Sequence, residues 1–343
     1  MKDNEVYRYG IDKIALFNFK FETDGKWKVQ HEDRDNQIIE KIIIKDELFS
    51  IVSAYAIYFD ENGEAKEKYF DQLQFNPNKV LEGHNVRNSN TTDLSNAIKK
   101  LKKILESKQI YIDLSNAKIM EIELNINIPI DFDEYKTVFQ LFINQFNAPK
   151  FIGRFIKSEK LEDCRADESY FTKINKKSTF IIYSKDVESK LRQKITRLEY
   201  RYSNDTYRYM TNIYSMTNSL EDLLNHPEMI KILFLHNAKK QFMHKTFTYI
   251  EQNIKPILER EYIRFKATNK FARKNKKKES RDIYKYLSQY NIFDYSFLIE
   301  LISKFDQEHL SREAKVIMHK YGHYDNLERL NFVLNYLLTT ETT

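Results

Sequence analysis

The chain has 343 residues, 41% hydrophobic and 31% charged, with a formal net charge of +6: enough apolar matter for one large or two smaller cores, and a lean towards an anionic partner. A single cysteine, Cys164, excludes an internal disulfide framework and a Cys-rich zinc site. Six glycines, five prolines and no Walker or dinucleotide fingerprint exclude a Gly-rich phosphate loop, and the lack of an apolar leader or membrane-length run predicts a cytoplasmic protein.

In chain order, "IDKIALFNFKF" (11–21), "IIEKIIIK" (38–45) and "FSIVSAYAIYF" (49–59) read as strands, being apolar and β-rich. The turn "DENGEA" then returns the chain into "KYFDQLQFN" (68–76), giving a hairpin. Helical spacing of Leu94, Ala97, Ile98, Leu101, Ile104 and Leu105 predicts a helix over 91–108, with Thr91, Thr92 or Asp93 as N-cap. "AKIMEIELNINIPI" (117–130) alternates strictly and predicts a strand. Asp131 with Glu134 announces a second helix with an apolar stripe through Tyr135, Val138, Phe139, Phe142, Ile143 and Phe146. A hairpin over 168–185, a short helix near 186–194 and the strand "ITRLEYRYS" (195–203) follow. Beyond about residue 204 the pattern is helical, interrupted by a basic run, "FKATNKFARKNKKKESR" (265–281), with eight Lys or Arg against one Glu.

Side chains alternate across a strand, so four of these strands share a polar phase. Gln72, Gln74 and Asn76 form one row. Glu121, Glu123, Asn125 and Asn127 form another, Thr179, Ile181 and Tyr183 a third, and Arg197, Glu199 and Arg201 a fourth. The helices carry one apolar stripe each and can cover only one face of the sheet. Glu and Asn are poor strand formers, and their repetition suggests retention for chemistry. Carboxylates on neighbouring strands can hold Mg²⁺ or Mn²⁺, and such a cation polarises a phosphoryl oxygen. A tyrosine hydroxyl attacking a phosphodiester conserves bond energy in a phosphotyrosine and frees a 3′-hydroxyl. Lys185, expected two residues on along the same strand face, is a candidate activator, and Arg197 and Arg201 are candidate phosphate clamps.

The segments "FNPNKVLEGHN", "IMEIELNINI", "TFIIYSKDVE" and "TRLEYRY", in this order, resemble the phage and plasmid replication proteins of the gene II/X type, rolling-circle initiators. "FNPNK", "YFTKINKKSTFIIYSK" and "RLEYR" also resemble the Rep-trans plasmid initiators. The resemblance covers about residues 8–210. It implies an α+β fold with an antiparallel central sheet, helices on one face (Rep nuclease-like), and a mostly helical C-terminal region. The expected division is a nicking-joining endonuclease domain at 1–204 and a DNA-binding or accessory domain at 205–343. The family nicks one strand at an origin, becomes joined to the 5′ phosphate through tyrosine and leaves a 3′-hydroxyl primer. By resemblance the nucleophile falls on Tyr183, the acidic strand residue on Glu123, and Arg-x-Glu on Arg197 and Glu199. Glu121 stands where an Arg is usual and joins the candidate metal ligands. No His-hydrophobic-His motif is present, which leaves His84 as at most a lone histidine ligand. Asn76, Lys79, His84, Asn85, Arg201, Lys274, Lys276, Lys277 and Lys278 are the expected DNA contacts. The implied partners are origin DNA, as single-stranded nick site and flanking duplex, a host helicase and a second copy of the chain, with no membrane. A conjugative relaxase of the same chemistry and a non-catalytic origin-binding regulator are the alternatives.

Overall fold

The computed structural model describes residues 6–24, 29–34, 37–59, 64–136, 138–139, 154–156, 169–175, 178–237, 256–257, 260, 311–312, 315 and 325–340. Contacts divide the chain into two compact units. The first holds Met1–Pro129, Lys157–Phe234 and Thr340–Thr343; the second holds Ile130–Ile156 and Leu235–Thr339. Residues 205–234 therefore lie in the same unit as the strands before them.

The strands are β1 (Tyr9–Phe17), β2 (Lys20–Thr23), β3 (Val29–Arg34), β4 (Gln37–Lys45), β5 (Phe49–Phe59), β6 (Ala65–Phe75), β7 (Ile110–Asp113), β8 (Lys118–Ile128), β9 (Arg154–Ile156), β10 (Ser169–Asn175), β11 (Ser178–Ser184) and β12 (Thr196–Ser203). The helices are α1 (Pro77–Glu82), α2 (Thr91–Ser107), α3 (Lys185–Ser189), α4 (Asn204–Ile213), α5 (Leu220–Asn225), α6 (Met229–Asn237) and α7 (Asp325–Thr339). The main sheet of the first unit runs β3-β4-β5-β6-β1-β8-β12-β11-β10, and its pairs are antiparallel. The fold is α+β, as expected. β2 and β7 form a separate two-stranded ribbon.

The expected strand 11–21 is broken at Asn18, whose φ of 57° is a left-handed conformation that asparagine tolerates better than most residues. The N-cap of α2 is Asn90 rather than Thr91, Thr92 or Asp93. Asn90 accepts from the Asp93 N–H at 2.9 Å, and Asp93 accepts from the Asn90 N–H at 3.1 Å, a reciprocal capping box. Its apolar stripe is buried at Leu94, Ala97, Ile98, Leu101 and Leu105. On β11, β12 and β1 the side chains facing away from the polar rows build an aromatic layer. Phe234 of α6 meets the ring of Tyr200 edge-on at 4.9 Å and that of Tyr9 at 5.2 Å, and the Phe180 ring lies tilted against Tyr200 at 4.5 Å. The tyrosines of "YRYSNDTYRYM" are thus partly core: Tyr200, Tyr202 and Tyr207 are buried, while Tyr209 is exposed.

In the second unit the start of the expected helix at Asp131 is visible as Tyr135 N–H to Asp131 O and Phe139 N–H to Tyr135 O. Arg329 of α7 donates to the Glu134 carbonyl at 2.9 Å, and Leu330, Val333 and Leu337 of α7 are buried. The remainder of that helix, Cys164, and the basic run with Lys274, Lys276, Lys277 and Lys278 lie outside the described residues. Among the described residues no helix is long and apolar enough to cross a membrane.

Candidate active site

β12 lies between β8 and β11, and its register sets the geometry. Arg197 stands opposite Asn127 on one side and Tyr183 on the other. Glu199 stands opposite Asn125 and Ile181, and Arg201 opposite Glu123 and Thr179. Directly opposed residues share a face. The polar rows on β8, β11 and β12 therefore merge into one surface, and β1 extends it through Lys13, the partner of Glu123.

The centre of that surface is acidic and buried. Asp12, Glu123 and Glu199 each offer a carboxylate oxygen, all within 4.8 Å of one another. Asp12 stands outside the alternation that marks the other polar rows. The β1–β8 register slips between Ile11 and Lys13, so Asp12 is the extra residue of a bulge and is aimed by that irregularity. A lone Asp inside an apolar strand was the available signal. Burial, and then the Glu123 and Asp12 carboxylates, push the Glu199 carboxyl up to about 8. Burial likewise raises Glu123, against the pull of Arg201 and Lys13. Like charges this close in a buried site repel; Arg197 and Arg201 offset part of that repulsion, and a divalent cation would offset more. The donor set is oxygen only, which suits a hard divalent ion. Asp12, Glu123 and Glu199 fit a divalent cation on these grounds.

Two arginines flank the carboxylates. The wholly buried Arg197 donates from Nη1 to Asp12 at 2.6 Å and from Nε to Asn127 Oδ1 at 2.8 Å. Its Nη2 donates to the Asn85 and Val86 carbonyls and to Asn88 Oδ1 at 3.0–3.1 Å. The guanidinium is thus engaged by protein acceptors and locks the 85–88 loop to the sheet. Arg201 is more open. It places Nε 2.6 Å from Glu123 Oε1, and Nη2 3.5 Å from Glu199.

Tyr183 is half-buried on the same face, one strand over from Glu199. Burial holds its hydroxyl well above the ordinary phenol value, and the Arg197 charge opposes that rise. Lys185 is not on the strand, in contrast to the expectation. β11 ends at Ser184, which caps α3 by accepting from the Val187 N–H, and Lys185 is the first helical residue. The turn carries its ammonium back over the tyrosine, with Nζ 5.8 Å from the ring centroid. Lys185 is buried, donates to Asn85 Oδ1 at 3.0 Å and pairs with Glu188. Burial, and then the Arg197 charge, lower its pKa to about 8.

The remaining expected site residues lie further out. Glu121 sits one rung from the cluster, 3.9 Å from Arg201, and is not among the grouped carboxylates. Asn76 caps α1 by accepting from the Lys79 N–H at 3.0 Å, and Lys79 is exposed. α1 ends at Gly83, whose φ of 79° is left-handed, and His84 follows with Nε2 3.7 Å from Glu82. His84 does not reach the carboxylates, but Asn85 next to it joins Lys185 to Arg197.

No protein-family model and no curated protein matches the chain. Among solved structures, a rolling-circle replication initiator protein from Geobacillus stearothermophilus overlaps 66% of this chain and 84% of its own. The identity is 12% and the TM-score 0.29. An overlap this shallow leaves the reading of the site to its geometry and chemistry.

Proposed function

We propose that the chain initiates rolling-circle replication by nicking one DNA strand through Tyr183. The observation that carries this reading is the buried group of Asp12, Glu123 and Glu199 on the same sheet face as Tyr183, one strand away. A divalent cation held by those carboxylates would supply Lewis-acid polarisation of a phosphoryl oxygen. The Tyr183 oxygen would bond to phosphorus as the phenol proton passes to water; the P–O3′ bond would break, the leaving 3′-oxygen would take a proton from water, and the 5′ phosphate would stay on the tyrosine. Lys185 and Arg197 offset the charge that builds on the phenol, whose burial otherwise disfavours ionisation. Arg201, the more exposed arginine, would meet the phosphate. Origin choice would fall to the part of the chain carrying Lys274, Lys276, Lys277 and Lys278.

Supercoiled plasmid carrying the origin from the protein's own replicon tests this, with Mg²⁺ or Mn²⁺. The expected product is open circle with protein on the 5′ end at Tyr183, located by mass spectrometry of the trapped adduct. Tyr183→Phe should bind the origin and form no adduct. An adduct on another tyrosine would remove the assignment. A catalytically silent origin-binding protein is the second reading. The raised Tyr183 pKa favours it, and metal-dependent nicking decides between the two.

A further inference from the structure

The sheet continues well past the carboxylate cluster, and its outer strands sort their charges by face. β6 joins β1 through Gln74 opposite Ala15 and Gln72 opposite Phe17, and Ala15 in turn faces Glu121. The even-numbered residues of β6 therefore lie on the carboxylate side. Following the register outward, that side carries Phe70, Lys68 and Lys66 on β6. It carries Ser50, Val52, Ala54 and Ala56 on β5, and Lys41 and Lys45 on β4. On the opposite side, Ile44, Phe49, Ile51, Leu73 and Phe75 are core, and further out come Glu40, Glu67 and Asp71 with Tyr55 and Tyr69. Among the described side chains of these strands, every charge on the carboxylate side is a lysine and every charge on the other side is an acid.

The geometry points to a track for single-stranded DNA on this surface, leading across β6 and β1 to the cluster. This rests on the nicking reading for the strand's destination. Small side chains on β5 leave a shallow floor between two lysine-bearing rails. Strands lie about 4.8 Å apart, so the rails on β4 and β6 are about 10 Å apart. Phe70, 36% exposed, offers a ring on which a base can stack, a contact that duplex DNA does not make. Lysine on exposed strands also guards against edge-to-edge pairing, but that role does not require one sign per face.

The test uses the full chain and fluorescence anisotropy with a labelled oligothymidylate and a duplex of the same length, each across a salt series. The first variant combines Lys41→Gln, Lys45→Gln, Lys66→Gln and Lys68→Gln; the second is Phe70→Ser. In the lysine variant, single-strand affinity at low salt should fall at least about tenfold. The slope of log affinity against log salt should flatten by about 0.7 for each phosphate contact removed. Phe70→Ser should lose roughly tenfold with its slope unchanged, since stacking displaces no counterions. Neutralising Glu40, Glu67 and Asp71 on the other side should weaken nothing. Unchanged single-strand affinity and slope in variants that melt like the parent would overturn the track. Equal losses on duplex and single strand would overturn its single-strand assignment. Selective loss in a protein whose parent never nicks would keep the surface and remove the nuclease reading.

Discussion

At the residue scale, Glu199 is the group whose protonation most constrains the site. Its carboxyl is raised to about 8 in the fold, against an ordinary value near 4.5. The folded state therefore binds more protons than the unfolded chain between about pH 4.5 and 8, and stability must fall as pH rises through that window. A divalent cation competes with the proton for the same oxygens, so its stabilising effect should grow over the same range. We expect Mn²⁺ to raise the melting temperature more at pH 8 than at pH 6. We expect Glu199→Gln to melt higher than the parent at pH 8 without metal and to lose most of the metal-induced rise. The measurement is a set of thermal melts with and without Mn²⁺ at both pH values. An identical Mn²⁺ response in parent and variant would place the metal elsewhere. Glu123 and Glu199 were legible because the period of two survives on β8 and β12. Asp12 was not, because a bulge breaks that period and the pairing of β1 with β8 joins segments over a hundred residues apart.

At the element scale, the loop from α1 to α2 is the part that aims the site, and a glycine controls it. The Ile11 N–H donates to the Ser89 carbonyl at 2.8 Å, which draws residues 88–89 tightly against β1. A Cβ on Gly10 would lie 2.7 Å from Asn88 Cβ and 2.9 Å from backbone atoms of Asn88 and Ser89. Nothing there is the far end of a flexible side chain, so Gly10→Ala must push the loop off the strand. The shift would take Asn88 Oδ1 and the Val86 carbonyl away from Arg197, and with them the support of Asp12. The expected cost is about 1–3 kcal/mol of stability, as for overpacked interiors. Metal-dependent nicking should also drop at temperatures where the variant remains folded. Wild-type nicking alongside a lowered melt would show that the loop only packs. The sequence concealed this arrangement. α1 is too short to show a helical period, and only the fold brings Asn85 between Lys185 and Arg197.

At the scale of the whole molecule, the described residues just after β12 form the helices α4, α5 and α6, yet the compact unit does not end at residue 204. α5 and β8 meet through the Ile119 N–H to the Asn218 carbonyl and the Leu220 N–H to the Ala117 carbonyl, both at 2.9 Å. α6 covers the aromatic layer with Phe234, and the Tyr202 hydroxyl donates to the Leu233 carbonyl at 3.3 Å. Patterning reports local conformation, whereas membership of a core depends on which surface an element covers, and these helices cover the strands that present the site on their other face. A chain ending at residue 204 would leave Tyr9, Tyr200 and Tyr202 facing water. Aromatic side chains bury about 150–250 Å² each, at roughly 25 cal/mol per Å². Exposing even half of that area removes an amount comparable with the total of about 5–15 kcal/mol that holds a domain folded. The 1–204 fragment is therefore expected to keep β-type far-ultraviolet dichroism at most, to lack a cooperative melt and to bind a hydrophobic dye. A chain ending at residue 237 retains α4, α5 and α6 and should melt cooperatively. A cooperative transition in the 1–204 fragment would mean that the helices after β12 ornament a sheet stable without them.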